Sequence, residues 1–200
     1  MKTKILTIIT LIAVVIGISN LTYAATVNNV VVTTLANVSA INKIEVHGNV
    51  ELFISDGSAN QVKVYNQYYG ESAFVQNRNG VLTISSYKAE KLVVWVTSNE
   101  LNTVTAYDNA EIKSFGDLSK IDFNVELHNN ATAKLSLDAF NANITVNDRA
   151  KADLSGIANN YSLSHNVAST VNNYNFKAAH YTENKINFPV IAKEDDMAGI

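Results

Sequence analysis

Short runs in which apolar and polar residues alternate extend over most of the chain. Alternation with a period of two residues places the apolar side chains on one face of an extended strand. No segment shows the i, i+3, i+4, i+7 spacing of a competing amphipathic helix. The pattern predicts an all-β fold with short strands at Ile44–Val46, Leu52–Ile54, Val62–Val64, Val81–Ile84, Leu92–Val96, Val104–Ala106, Val125–Leu127, Ile144–Val146 and Tyr161–Leu163.

Five segments share a second pattern, in which two apolar residues enclose three mostly polar ones. They are Val46–Val50, Ala106–Ala110, Leu127–Ala131, Val146–Ala150 and Leu163–Val167. The last residues of the final four segments are 21, 19 and 17 positions apart. A unit of about 20 residues is the size of one coil of a β-solenoid, whose coils stack about 4.8 Å apart. We therefore expect a β-helix with corners at these segments.

The last polar position of each segment is predicted to be a structural turn position. Asparagine tolerates left-handed backbone conformations, and its amide can bond to neighbouring turns. Stacked amides can also form a ladder of hydrogen bonds between coils. We interpret these side chains as turn formers rather than ligand-binding groups; they are Asn49, Asn109, Asn130, Arg149 and Asn166.

The first 24 residues have the three parts of a secretory signal. Lys2 and Lys4 precede an apolar run from Ile5 to Ile18, and a polar, small-residue stretch ends at Ala24. The run is shorter than the roughly 20 residues that a membrane anchor needs, so cleavage near Ala24 is favoured over anchoring. We expect export to the periplasm, the cell surface or the medium, with no membrane span in the mature chain.

The rest of the chain is expected to be one β-solenoid domain at residues 25–188, followed by a flexible charged tail at 189–200. There is no cysteine, so neither a lipid-bearing cysteine nor a disulfide is expected. Without Lys2 and Lys4 the chain carries 13 basic and 18 acidic residues, a net charge near −5. This balance argues against nucleic acid and anionic membranes as partners.

Several stretches resemble the putative auto-transporter adhesin family with the head GIN domain, found in exported bacterial proteins. The resemblance lies in Ile41–Leu52, Asn79–Ile84, Leu92–Val96 and Leu101–Val104, and it covers roughly residues 41–176. The family's glycine corners are replaced here by Asp108-Asn109, Asn129-Asn130 and Asp148-Arg149. The resemblance implies a right-handed β-helix and a role in adhesion at the cell envelope, and it carries over no catalytic residues.

Catalytic and metal-binding patterns are weak in this sequence. There is no G-x-S-x-G nucleophile motif and no Gly-rich phosphate loop. His47, His128 and His165 lie in corner segments, but they occupy different positions there and lack ligand spacing, so we interpret them as turn residues. A polysaccharide lyase or hydrolase remains an alternative; its candidate residues are Asp108, Asp138, Asp148, Asp153 and Arg149.

Aromatic residues suggest binding without catalysis. Tyr68, Tyr69, Trp95 and Tyr107 are the candidate ligand-binding residues, because stacking on aromatic faces suits sugars. We expect a non-enzymatic binding or adhesion domain without metal or cofactor. Its partner would be a surface glycan, an envelope protein or a second copy of the chain. The alternative is a carbohydrate-binding or polysaccharide-cleaving β-helix protein.

Overall fold

The computed structural model describes residues 32–35, 38–65 and 73–186. The predicted signal peptide, Tyr68, Tyr69 and the predicted tail at 189–200 lie outside the described residues. None of the described residues belongs to a helix long and apolar enough to cross a bilayer. The described residues contain twelve strands: β1 (Val32–Thr34), β2 (Lys43–Gly48), β3 (Val50–Ser55), β4 (Gln61–Tyr65), β5 (Ala73–Arg78), β6 (Val81–Ser86), β7 (Leu92–Thr97), β8 (Thr103–Ala106), β9 (Glu111–Leu127), β10 (Thr132–Val146), β11 (Lys151–Asn166) and β12 (Thr170–Ile186).

The alternation in the sequence corresponds to alternating burial in the strands. In β2, for example, Ile44 and Val46 are fully buried, whereas Lys43, Glu45 and His47 are half-buried on the opposite face. The same period of two continues through β3, β6 and β7. The prediction of an all-β fold is therefore confirmed.

The four long strands β9 to β12 are parallel and follow one another in chain order. Ile144 in β10 pairs with Val125 in β9 and with Leu163 in β11. Tyr161 in β11 pairs with Tyr181 in β12. The repeat of about 20 residues in the sequence thus reflects the register between neighbouring parallel strands.

The predicted right-handed β-helix is nevertheless wrong. The strands form one mixed sheet that curls into a half-barrel, with the order β1-β4-β7-β3-β9-β8-β2-β6-β5 and with β10 to β12 continuing from β9. Coils of a helix would stack in chain order, whereas β2 lies between β6 and β8, and β3 lies between β7 and β9. The pairs β1–β4, β4–β7 and β5–β6 are antiparallel. A local repeat specifies strand spacing but not the order in which distant strands pair.

The last predicted corner is also displaced. Val146 pairs with His165, so the turn after β11 falls at residues 167–168, two positions later than the sequence segment Leu163–Val167 indicated. Val167, expected inside, is 85% exposed, whereas Asn166 is buried. The other small corner residues, Ala110, Ala131 and Ala150, are fully buried as expected.

Candidate functional site

An aromatic platform, formed by Phe53, Trp95 and Phe115, lies on the outward side of the sheet. Trp95 is half-buried, and its ring stacks on Phe53 with the centroids 4.8 Å apart. The ring of Phe115 lies 5.2 Å from that of Trp95 at a tilt of 55°. Because Val94 and Val96 point inward and are buried, alternation directs Trp95 outward. Phe115 is 63% exposed, so part of the platform is open to a ligand.

Charged side chains surround the platform in an alternating network. Lys113 Nζ lies 5.7 Å from the centre of the Phe53 ring and bonds to Glu51 Oε1. Lys91 Nζ bonds to Glu111 Oε1, and this hydrogen bond holds the pKa of the Glu111 carboxyl below its ordinary value. The hydrogen bond with Glu51 raises the pKa of Lys113. The network fixes the charged groups beside the aromatic rings.

A row of outward side chains crosses the sheet through the platform. Strand register places Lys63 opposite Trp95, Phe53 opposite both Trp95 and Lys113, and Lys134 opposite Lys113. We call the outward side of β3, β4 and β7, together with the N-terminal parts of β9 to β12, the outer face. The row lies along the hydrogen-bonding direction, with strands about 4.8 Å apart.

Two open cavities of about 340 Å³ each lie on the outer face. Both contain Lys113 and Lys134 in their lining. The first is walled by Phe53 and Phe115, and the second continues toward Lys151. The outer face therefore combines aromatic surface, cations and hydroxyl or amide groups along one path. Such a combination of apolar walls with a few polar groups is typical of ligand sites.

The corners of the sheet use side chains in a different way. The left-handed backbone conformation falls on Asp108, Asn129 and Asp148, with φ of 61°, 59° and 55°, and Gly48 has φ of 82° in the matching position. The turn positions Asn109, Asn130 and Arg149 come one residue later, so the left-handed residue is the middle polar residue of each segment. Aspartate and asparagine adopt this conformation more readily than most residues.

These four residues form a corner ladder of hydrogen bonds. The backbone N–H of Gly48 donates to Asp108 Oδ2 at 3.1 Å, and that of Asp108 donates to Asn129 Oδ1 at 3.2 Å. The N–H of Asn129 donates in turn to Asp148 Oδ2 at 2.8 Å. Each side chain therefore satisfies a backbone donor in the neighbouring turn, which explains why acidic and amide residues replace glycine at these corners.

The predicted turn positions form a second, outer row of contacts. Asn130 Nδ2 donates to Asn109 Oδ1 at 3.3 Å, and Arg149 Nε donates to Asn130 Oδ1 at 3.1 Å. Asn49 Nδ2 donates instead to the carbonyl of Ala89 at 2.9 Å. Asn166 Oδ1 accepts from the backbone N–H of Ser169 in the displaced last turn.

Tyr107, a predicted ligand residue, lies in a ring stack at the corner edge. Its ring is half-buried between His47, at 4.6 Å, and His128, at 4.8 Å. His165 lies elsewhere and contacts Glu183, with Nε2 to Oε1 at 2.9 Å. Tyr107 thus belongs to a surface separate from the one that contains Trp95.

The carboxylates considered for polysaccharide cleavage lie on different surfaces. Asp108 and Asp148 belong to the corner ladder, while Asp153 accepts a hydrogen bond from Asn172 on the outer face. Asp138 lines an open groove of about 640 Å³ with Ile121 and Phe140. Within residues 32–35, 38–65 and 73–186, no three His, Cys, Asp or Glu side chains are grouped in a way that would hold a metal ion.

Sequence reasoning missed most of the outer face. Phe53, Phe115, Lys113 and Lys134 are far apart along the chain, and only strand register brings them beside Trp95. The sequence does place Phe53 and Trp95 between inward-facing apolar residues in two alternating strands. This pattern indicates which side of its strand each ring faces, but not that the two strands are neighbours.

The chain matches a known family model over most of its length. Residues 40–185 match the model described as "Putative auto-transporter adhesin, head GIN domain". This bears out the resemblance seen in the sequence. No curated protein is significantly similar to the chain.

Solved structures of bacterial proteins share the fold. A putative adhesin from Bacteroides fragilis NCTC 9343 has a TM-score of 0.68 at 15% identity, covering 79% of this chain and 77% of that one. A putative adhesin from Parabacteroides merdae ATCC 43184 has a TM-score of 0.62 at 13% identity, covering 79% and 78%. A putative lipid binding protein from Parabacteroides distasonis ATCC 8503 has a TM-score of 0.63 at 10% identity, covering 79% of each chain.

Proposed function

The chain belongs to the putative auto-transporter adhesin family with the head GIN domain, and on this premise we propose that it is an exported, non-enzymatic domain that binds a glycan through its outer face. The observation that carries the proposal is the aromatic platform, which exposes ring surface beside an open cavity. The C–H face of a sugar ring packs on such surfaces, and neighbouring polar groups bond to its hydroxyls.

Family membership supports an adhesion or binding role, and the sequence of residues 1–24 supports export. A location in the periplasm or at the cell surface follows from that leader as part of the proposal. Non-enzymatic action is supported by the scattered positions of Asp108, Asp138 and Asp153, which a cleaving enzyme would need in one groove.

Binding is tested with the purified protein on an array of neutral and acidic glycans, with phospholipid vesicles in a parallel assay. Trp95→Ala should weaken glycan binding about fivefold, since one stacked ring contributes on the order of 1 kcal/mol. The control is Tyr87→Ala, because Tyr87 is an exposed aromatic that contacts Asp108 at the corner edge rather than the outer face. Equal binding by wild type and Trp95→Ala, or binding to vesicles alone, would overturn the proposal.

Two further measurements address catalysis and export. Incubation with the bound polysaccharide should leave its chain length unchanged in size-exclusion chromatography, whereas shortening would favour the enzymatic alternative. Mass spectrometry of the protein recovered from a bacterial host should give an N-terminus at Ala25. Retention of residues 1–24 in that protein would contradict cleavage and export.

A further inference from the structure

The outer face has more cationic side chains than its network of ion pairs uses. Lys91 and Lys113 are engaged by Glu111 and Glu51. Lys134 and Lys151 are exposed, and no carboxylate among the described residues lies within 4.0 Å of either ammonium group. Lys134 lies opposite Asp153 in the strand register, but the Asp153 carboxylate accepts a hydrogen bond from Asn172 and forms no ion pair with either lysine.

Both lysines line the cavity that continues the aromatic platform. Lys134 contributes to both outer-face cavities, and Lys151 contributes to the second one. The second cavity is also lined by Thr132, Thr170 and Asn172, which provide hydroxyl and amide groups, and by the carboxylate of Asp153, whose Oδ1 accepts a hydrogen bond from Asn172 Nδ2. From Trp95 on β7 to Asn172 on β12 the row crosses five strand spacings, or about 24 Å. That length suits a chain of several sugars rather than one.

We infer that the outer face binds an acidic glycan chain, whose rings contact Phe53, Trp95 and Phe115 and whose carboxylates pair with Lys134 and Lys151. The inference rests on the proposed function and specifies its ligand class. The aromatic part binds any sugar with a C–H face, whereas the lysines select a charged one. Charge-assisted hydrogen bonds to carboxylate are about twice as strong as neutral ones, so the two lysines provide the selectivity.

A polyuronate distinguishes charge from sugar shape when it is compared with its own neutral ester. Binding is measured for polygalacturonate and for fully methyl-esterified polygalacturonate at several salt concentrations. Wild type should bind the acid at least tenfold more tightly than the ester, and the preference should shrink as salt rises. Equal affinity for acid and ester, or failure to bind the acid, would overturn the inference.

A double substitution of Lys134→Gln and Lys151→Gln tests the two lysines directly. It should weaken polygalacturonate binding about tenfold while leaving binding to the ester unchanged. The matched control is Lys88→Gln with Lys177→Gln, which removes the same charge from exposed positions outside both outer-face cavities. If the control pair loses as much affinity as the test pair, the effect belongs to net charge and the assignment fails.

The two proposals fail in different ways. A wild type that binds neutral glycans through Trp95 without any preference for acid retains the proposed function and loses this inference. A wild type that binds no glycan on the array loses both. Equally tight binding to double-stranded DNA of the same charge concentration would identify a general polyanion surface and would overturn the assignment of a glycan.

Discussion

The half of the sheet formed by β2, β3, β6 and β7 buries large branched side chains, whereas the half formed by β9 to β12 buries many alanines and adds rows of hydrogen-bonded side chains. Ile44, Leu52 and Leu82 are fully buried in the first half. In the second half Ala131 and Ala150 are fully buried at the corners, beside the corner ladder. The second half also buries large apolar side chains, among them Phe123, Leu137 and Ile144. The first half therefore depends mainly on apolar volume, whereas the second adds backbone geometry and polar pairing to its apolar core.

The core also becomes thinner toward β12. Leu163 in β11 faces Ile144 on one side but pairs with Glu183 on the other, and most of β12 is exposed. Phe176 and Tyr181 pack on Tyr161 there, and burial raises the pKa of the Tyr161 hydroxyl to about 12. Equal substitutions should therefore cost less stability in the last strands than in the first half.

The largest effect is expected from truncating a leucine in the first half. Leu52→Ala should lower the free energy of unfolding by about 4 kcal/mol, because Leu52 lies between Val94 and Ile112 and leaves a closed cavity. Leu163→Ala should cost about 2 kcal/mol, because a site near the sheet's last strand relaxes more easily. Urea unfolding measures both values. Equal losses would show that the two halves have similar cores.

A smaller but sharper contrast involves two glycines of the second half. Gly156 has φ of 107°, and an added Cβ would lie 2.0 Å from the carbonyl oxygen of Leu137. Gly156→Ala should therefore cost about 3 kcal/mol through strain and displacement of β10. Gly116→Ala is the control, since its φ is 79° but no atom lies within 4 Å of the added Cβ. Its cost should be about 1 kcal/mol, from backbone strain alone. If thermal unfolding shows equal costs, the contact with Leu137 has no effect.

The corner ladder can be separated into its conformational and hydrogen-bonding parts. Asn129→Gly keeps the left-handed conformation and loses the bond to the Asp108 N–H, at a cost of about 1 kcal/mol. Asn129→Ala loses both contributions and should cost about 2 kcal/mol. The two variants are compared by urea unfolding. An alanine variant as stable as the glycine variant would mean that the backbone conformation is not costly there.

The smallest effect is expected from the charged network of the outer face. The pKa of Glu111 is lowered in the folded protein. Its contribution to folding stability is therefore complete above the unfolded-state pKa near 4.3 and is lost as pH falls through the folded-state pKa. The pKa of Lys113 is raised in the folded protein. Its contribution to folding stability is therefore complete below the unfolded-state pKa near 10.4 and is lost as pH rises through the folded-state pKa.

Glu111→Gln should consequently destabilise the protein by about 0.5 kcal/mol at pH 7, since these groups are partly exposed, and the difference should be smaller at pH 3. Thermal unfolding at both pH values measures it. Glu100→Gln, at an exposed position outside the network, is the control and should show no such pH-dependent difference. A difference that is just as large at pH 3 would assign the effect to packing rather than charge.

Local patterns predicted β2 to β4, β6 to β8 and the C-terminal parts of β9 to β11, with the buried side of each, because alternation is a property of neighbouring residues. They missed β1, β5 and β12 and the full length of the long strands. Ile44, Val104, Val125, Ile144 and Tyr161 were all expected inside and are buried. The order of strands was not predictable in the same way. The position of β2 between β6 and β8 depends on pairing with residues far along the chain, which a local repeat does not encode.

Of the residues that form the outer face, Trp95 was predicted from the sequence to be a ligand-binding candidate, whereas Phe53, Phe115 and the lysines were missed. The left-handed corner residues could have been located from Gly48, which holds the same position in its segment as Asp108, Asn129 and Asp148. The lysines of the outer face gave no such signal, because Lys134 and Lys151 are single charges among polar residues in separate strands. They lie close together only because of the register in which β10 pairs with β11.

The position of β2 between β6 and β8 has a kinetic consequence. Ile44 must find Leu82 on one side and Val104 on the other, whereas Ile144 has its partners at Val125 and Leu163. Closing the longer loops costs more chain entropy, so pairing of β2, like the pairing of β3 with β7 and β9, should be slower than pairing among β9 to β12. A chain that leaves the ribosome cannot complete this step until residue 106 is available.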